Sequence, residues 1–166
     1  AVGTYYTDTL GTNGAWRWFK VSSGTGTSRW TVVFGDTGPR KITGEYLKSG
    51  WTPYYAGIAP QISRVGNTVF LSGPVLRSAD ADYSTLIFDL PEGLRPRFQS
   101  NALPLLQITA GANANNGIVL EPPTGVSVRY GPGFGGALPA NNAYRIPMTS
   151  WYTKDPWPAT LPFSPA

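Results

Sequence analysis

Tryptophan and tyrosine side chains are the residues of this sequence best suited to hold a ligand. An aromatic ring can stack on the apolar side of a sugar, while neighbouring polar groups bond to its hydroxyls. The candidate glycan-binding residues are Tyr54, Tyr55, Trp151, Tyr152, Asn141 and Asn142. The alternative is that these rings pack in the core or at a subunit interface.

Three tryptophans are better candidates for a subunit interface. Trp16 and Trp18 lie in a short β-rich run near the N-terminus, and Trp157 lies between Pro156 and Pro158. A large ring on a stiff segment can anchor in a pocket of a neighbouring subunit. We therefore interpret all three as interface residues, with sugar contact as the alternative for Trp157.

The residue types needed for most hydrolytic mechanisms are missing. The 166 residues include no His and no Cys, which excludes a Ser-His-Asp triad, a Cys nucleophile and a zinc site built on thiolates or imidazoles. A glycosidase needs two nearby carboxylates, and Asp80 with Asp82 or Asp89 with Glu92 could be brought together. Such spacing is common by chance, so we predict no enzyme, no catalytic residue and no cofactor.

Metal and phosphate sites are not predicted either. Asp80 and Asp82 offer two oxygen donors, whereas Ca²⁺ takes six or more, so an exposed turn is the simpler interpretation. The glycine-rich stretch 131–136 is followed neither by Lys-Ser/Thr nor by a helical pattern, and it is therefore expected to be a loop.

The chain is basic, with 13 Lys and Arg against 9 Asp and Glu and a net charge of +4. This balance permits attraction to anionic polymers. The basic residues are scattered, and Arg40-Lys41 is their longest run, so nucleic-acid binding is not predicted. Arg95-Pro96-Arg97 could pair with phosphate or carboxylate, the alternative being a solvated loop or an interface salt bridge.

Composition and alternation predict the elements that would position these residues. With 20 Gly, 16 Pro and 13% aromatic residues, the chain is typical of an all-β protein. The runs 15–21 and 29–34 flank a polar linker and predict an N-terminal hairpin. The runs 58–65 and 68–76 flank Gly66-Asn67, the strongest hairpin signal of the sequence.

Further short strands complete the predicted head. They are expected at 85–90, 105–109, 118–120, 126–130 and 143–151. About seven strands separated by turns indicate a β-sandwich or a jelly-roll-like barrel. We divide the chain into an N-terminal hairpin segment, 1–40, and a head, 41–166. No run is long and apolar enough to cross a membrane, and no signal peptide or initiator Met is visible, so a fragment or processed product is expected.

Four stretches resemble minor tail proteins of actinobacterial siphophages. The first combines 8–15 and 18–20 with Gly-Asp-Thr-Gly at 35–38. The second is Arg-Val-Gly-Asn-Thr-Val at 64–69, and the third is Leu-Pro-Glu-Gly-Leu-Arg-Pro at 90–96. The fourth is 150–162, which begins Ser-Trp-Tyr-Thr-Lys-Asp-Pro-Trp-Pro. The resemblance spans about residues 7 to 162. Pro39 and Leu94 stand where the family usually has Trp and Phe.

The resemblance implies a virion protein of the tail tip or tail fibre. It implies the C-terminal head of a longer chain, a homotrimer, contact with the host envelope, and attachment to other tail proteins through a preceding N-terminal region. We therefore predict a non-catalytic receptor-binding domain for a cell-wall polysaccharide, with no nucleic-acid partner and no membrane insertion. A structural trimerisation module and a glycan depolymerase remain the alternatives.

Overall fold

The structure is a computed structural model and describes residues 1–10, 12–25, 29–55, 57–77, 86–97, 100–107, 116–120, 127–130 and 142–166. Across these ranges the chain forms thirteen β-strands and no α-helix, and all strand pairings are antiparallel. The predicted all-β class is confirmed. Among the described residues there is also no helix of the length and apolarity needed to span a membrane.

A small sheet forms the N-terminal region. It consists of β1 (Tyr5–Thr7), β2 (Ala15–Lys20) and β3 (Trp30–Gly35) in the order β1-β2-β3. The pairing of β2 with β3 confirms the predicted hairpin, and β1 adds a strand that the sequence did not reveal. Aromatic rings pack against each other across these strands, and the ring centroids of Tyr5 and Phe19 are 5.1 Å apart.

The remaining ten strands form a second sheet. Their bounds are β4 (Arg40–Lys41), β5 (Trp51–Pro53), β6 (Gln61–Val65), β7 (Thr68–Arg77), β8 (Leu86–Asp89), β9 (Ser100–Gln107), β10 (Asn116–Leu120), β11 (Ser127–Tyr130), β12 (Asn142–Tyr152) and β13 (Ser164–Pro165). The order is β13-β4-β6-β7-β12-β9-β10-β11-β8, and β5 pairs with β7 beside this path. The strands expected at 105–109 and 118–120 correspond to β9 and β10, which pair with each other.

The β6–β7 hairpin is built on the turn at Gly66-Asn67, with Val65 opposite Thr68. Gly66 has a φ of 56°, which the first central residue of a type II′ turn requires. The two-residue period then buries Ile62 and Arg64 on one face of β6. The turn also joins the two sheets, because the Gly66 amide donates to the Gly35 carbonyl at the end of β3.

One cluster of buried side chains forms the core of the larger sheet. Its members include Ile62, Val69, Leu71, Val75, Phe88, Leu94, Tyr144, Ile146, Trp151 and Phe163. Phe163 comes from the C-terminal segment and packs edge-on against Tyr46, with 4.8 Å between ring centroids. The segment is fixed there because β13 pairs with β4 and the Arg40 Nε donates to the Pro162 carbonyl.

Candidate functional site

An open groove of about 530 Å³ separates the turn after β8 from the segment after β12. Its lining residues in the described part of the chain are Pro91, Glu92, Pro156, Trp157, Pro158, Ala159, Thr160 and Pro162. Half of them are prolines, whose fixed φ limits the motion of the groove walls. We call this feature the Trp157 groove.

Glycine permits the two walls to approach each other. Pro91 ends β8, and a hydrogen bond from the Leu94 amide to the Pro91 carbonyl closes the following turn. Gly93 has a φ of 92°, which favours glycine, and a Cβ at this position would lie 2.9 Å from the Pro158 Cδ. Any larger residue at 93 would therefore push the walls of the Trp157 groove apart.

A buried arginine holds the walls together. Arg64 is only 3% exposed, and its guanidinium donates to the carbonyl oxygens of Gly93 at 2.6 Å, Pro156 at 2.9 Å and Asp155 at 3.1 Å. Burial lowers the pKa of Arg64, while the charges of Asp155 and Tyr152 oppose that shift. Because a guanidinium does not lose its proton in proteins, the side chain stays charged at neutral pH.

Asp155 completes this connection from the opposite wall. Its Oδ2 accepts hydrogen bonds from the backbone amides of Gly93 at 3.0 Å and Arg95 at 3.3 Å. The Asp155 amide in turn donates to the Thr153 Oγ1. Arg64 and Asp155 thus join the 91–95 turn to the 155–156 backbone by polar contacts in both directions, and these contacts hold the walls of the groove in place.

Trp157 forms part of the groove wall and is held by neighbours within the same chain. The indole Nε1 donates to the Asn13 carbonyl at 2.9 Å, and the Arg64 guanidinium lies 4.8 Å from the ring centroid. A Cβ on Gly35 would come within 2.7 Å of the indole, so this glycine leaves room for the ring. Trp157 therefore joins the small N-terminal sheet to the groove. Its predicted contact with another subunit stays a prediction.

The two aromatic pairs predicted to bind sugar lie near different positions along β7. Tyr152 pairs with Thr68, whereas β5, which leads to Tyr54 and Tyr55, pairs its Pro53 with Val75. Seven residues of strand separate those positions, or about 23 Å. The candidates therefore do not form one continuous site.

The exposures of the candidate rings differ. Tyr55 is 61% exposed, its ring centroid lies 4.2 Å from that of Tyr54, and a hydrogen bond with Tyr55 raises the pKa of Tyr54 above its ordinary value. Tyr152 is 49% exposed, and its hydroxyl accepts a bond from the Asn67 Nδ2 at 3.0 Å. Arg97 places its guanidinium 6.0 Å from the Tyr152 ring.

Trp151 lies in the core and not on a binding surface. It is 9% exposed, and its Nε1 donates to the Leu94 carbonyl at 2.8 Å. Neighbouring residues of a strand point to opposite faces, so the exposure of Tyr152 requires Trp151 to point inward. Trp151 thus bonds to the 91–95 turn that forms one wall of the groove, and its ring is not free to stack on a sugar. Asn142 begins β12 opposite Arg77, and Asn141 lies outside the described residues.

The predicted interface residues of the small sheet are accessible to different degrees. Trp16 is 48% exposed and lies 5.8 Å from Phe34 between ring centroids. Trp18 is half-buried between Tyr6 and Val32, its partners on the flanking strands.

Asp89 and Glu92, the one carboxylate pair considered for a glycosidase that falls within the described ranges, lie in different surroundings. Asp89 forms an ion pair with Lys48, while Glu92 lines the groove. Among the described residues no group of three His, Cys, Asp or Glu side chains could hold a metal ion. Asp80, Asp82 and the 131–136 stretch lie outside the described residues.

Sequence reasoning missed the groove and the roles of Arg64, Asp155 and Glu92. One signal was available for Arg64, because the two-residue period of β6 puts it on the same face as the buried Ile62. The partners of Asp155 are distant along the chain and leave no local pattern. No protein-family model matches this chain, and no curated protein matches it either.

Proposed function

We propose that this chain is the receptor-binding head of a phage tail tip and binds a cell-wall glycan of the host without cleaving it. The observation that carries the proposal is the Trp157 groove, whose walls Arg64 and Asp155 hold in place. A groove formed in advance loses little conformational entropy when a ligand binds. Its volume lies in the range of small-ligand sites, and an indole with prolines suits the apolar side of a sugar ring.

A binding role is favoured over hydrolysis by the distribution of carboxyl groups. Among the described residues that line the groove, Glu92 is the one with a carboxyl group. The carboxylate of Asp155 is engaged by two backbone amides. Because glycoside hydrolysis generally uses two carboxyl groups across the bond to be cleaved, this arrangement fits retention of the sugar better than its cleavage. Release of reducing ends from envelope polysaccharide would support the depolymerase alternative.

The finer architecture belongs to the same proposal. We place the ten-stranded sheet in a β-sandwich or jelly-roll-like head, since β6, β7, β8 and β12 all contribute side chains to one buried cluster. The head would form a homotrimer on the virion, attached to other tail proteins through a preceding region. The support for a trimer is the small sheet, where Tyr6, Trp16 and Phe34 are each about half exposed. The same exposure is what a purely structural trimerisation module would have.

The proposal is tested by filling the groove without disturbing its supports. Ala159 is an exposed lining residue, so Ala159→Leu would occupy ligand space and leave the contacts of Arg64 intact. Thr52→Leu adds a similar group at an exposed position of β5 and is the matched control. We expect at least a tenfold loss of binding for Ala159→Leu, equivalent to about 1.4 kcal/mol, on a glycan array or on isolated cell walls.

Equal binding by the wild type and both variants would show that the Trp157 groove is not the receptor site. Binding by neither the wild type nor Thr52→Leu, with a stable oligomer in both, would favour the structural module.

A further inference from the structure

One residue of the small N-terminal region bonds to two lining residues of the Trp157 groove. The Asn13 carbonyl accepts a hydrogen bond from the Trp157 Nε1 at 2.9 Å, and the Asn13 Nδ2 donates to the Ala159 carbonyl. Trp157 and Ala159 stand on either side of Pro158 in the groove wall. Asn13 thus contacts one stretch of the wall through both its main chain and its side chain, although it comes 144 and 146 residues before its two partners.

The backbone at Asn13 has a conformation that few residue types adopt. Its φ is 50° and its ψ is 34°, which lies in the left-handed region where asparagine is tolerated better than most residues. Gly14 follows with a φ of 71°, and its carbonyl accepts a hydrogen bond at 2.7 Å from the amide of Asp36, directly after β3. A Cβ on Gly14 would lie 2.1 Å from the Asp36 carbonyl oxygen, so the two segments are in close contact. The position of Asn13 is therefore set by the hairpin of β2 and β3.

The two bonds of Asn13 connect the docking of the small sheet to the shape of the groove. We infer that Asn13 is a positioning residue, through which the docked small sheet holds the Trp157 indole and the Ala159 main chain in the arrangement that binds ligand. Because both bonds belong to one residue, loss of the side-chain donor also displaces the carbonyl that accepts from Trp157. The inference rests on the proposed binding role of the groove and makes that role dependent on the N-terminal region.

Asn13→Asp isolates the side-chain donor. Aspartate also tolerates the left-handed region and has nearly the same shape as asparagine. An ionised carboxylate cannot donate to the Ala159 carbonyl, whereas the protonated acid can. This hydrogen bond favours the neutral form, so it raises the pKa of the introduced carboxyl above its ordinary value of about 3.9. The contact should therefore be lost at neutral pH and recovered as the pH falls through that raised pKa.

The first measurement needs no ligand. The indole N–H signal of Trp157 is followed by NMR in the isotope-labelled full chain and identified with Trp157→Phe. We expect Asn13→Asp to displace this signal from its wild-type position at neutral pH and to restore it in acid. Asn13→Gly, which permits the same φ and removes the donor without adding a charge, should displace the signal at both pH values.

The control separates the introduced carboxyl from the other charges nearby. The segments packed around Asn13 also carry charged groups, which include Asp36, Arg64, Glu92 and Asp155. These groups are the same in the wild type, so each variant is compared with the wild type at the same pH. Gln61→Glu makes the matching amide-to-carboxyl change at an exposed position of β6 and should leave the Trp157 signal at its wild-type position.

The second measurement is binding to isolated cell walls at neutral pH. We expect about a tenfold loss for Asn13→Asp, equivalent to about 1.4 kcal/mol, and no loss for Gln61→Glu. A Trp157 signal that Asn13→Asp leaves in place would overturn the inference, and so would one displaced equally at both pH values. If Ala159→Leu abolishes cell-wall binding while Asn13→Asp preserves it, the proposed function stands and the inference fails. If the signal behaves as expected and the wild type binds no cell wall, Asn13 positions the groove and the proposed function is wrong.

Discussion

At the scale of single residues, Arg64 has the most consequences for the site. It lies on the core face of β6, yet its guanidinium bonds to three carbonyl groups from two other segments. Those carbonyl oxygens would be left without this donor if the side chain were shortened or made apolar. A buried acceptor without a partner costs more than the hydrogen bond contributes when it is present. Arg64 is therefore important for stability and for the shape of the groove.

Arg64→Met keeps most of the side-chain volume and removes the donors. We expect it to reduce the free energy of unfolding by about 3 kcal/mol, because buried carbonyl groups lose their partners. The measurement is urea denaturation followed by tryptophan fluorescence. Arg17→Met is the control, since Arg17 is exposed on the small sheet and contacts the Tyr5 ring at 4.3 Å, a contact that contributes at most about 1 kcal/mol. Similar losses in both variants would contradict the role given to Arg64.

At the scale of elements, the small sheet is attached to the rest of the molecule through Gly35 and Trp157. The last residue of β3 has no side chain, and the indole fills the space beside it. The contact depends on this glycine for its volume alone, since Gly35 has no positive φ. A single added methyl group is therefore a sharp probe of whether the sheet is docked in this way.

Gly35→Ala places a Cβ about 2.7 Å from both the indole and the Gly14 carbonyl oxygen. Overpacking of this kind typically costs about 1–3 kcal/mol, and here it should loosen the small sheet in particular. We expect faster proteolysis within residues 1–35 than in the wild type. Gly44→Ala is the control, because its nearest neighbour would be 3.9 Å away. Equal proteolysis of the two variants would mean that the sheet is not held by Trp157.

Elements with a local signal could be predicted from the sequence, and elements defined by distant partners could not. The β6–β7 hairpin follows from Gly66-Asn67 between two alternating runs. In contrast, β1 and β13 have three and two residues, and each exists because of a partner strand elsewhere in the chain. The groove could not be predicted for the same reason, because its walls come from segments that are about sixty residues apart in the sequence. Trp151 was misplaced because exposure depends on which face of β12 the core occupies.

At the scale of the whole molecule, the small sheet exposes large aromatic rings. The chain has no disulfide to stabilise it. Tyr6, Trp16 and Phe34 are each about half exposed, which is unusual for a monomer and typical of a surface that packs on another subunit. A small sheet gains stability when its exposed apolar side chains pack on a further surface. The proposed trimer would supply that surface.

We expect light scattering at micromolar concentration to give a trimer. The double variant Trp16→Ser and Phe34→Ser should shift it towards monomer, because two apolar contacts per subunit are lost. Met148→Ser is the control, since Met148 is 81% exposed on β12. A wild-type monomer, or a trimer insensitive to the double variant, would remove the assembly proposal.

The C-terminal segment also determines when this chain can fold during synthesis. Phe163 completes the core beside Tyr46, and β13 covers the edge of β4. At a translation rate of about 5–20 residues per second, Phe163 leaves the ribosome roughly 6–23 s after Tyr46. The core of the larger sheet remains open for that interval, while the aromatic N-terminal strands are already outside. The nascent chain should therefore expose apolar core surface until β13 is synthesised, and nonsense mutations before Phe163 should yield aggregation-prone products.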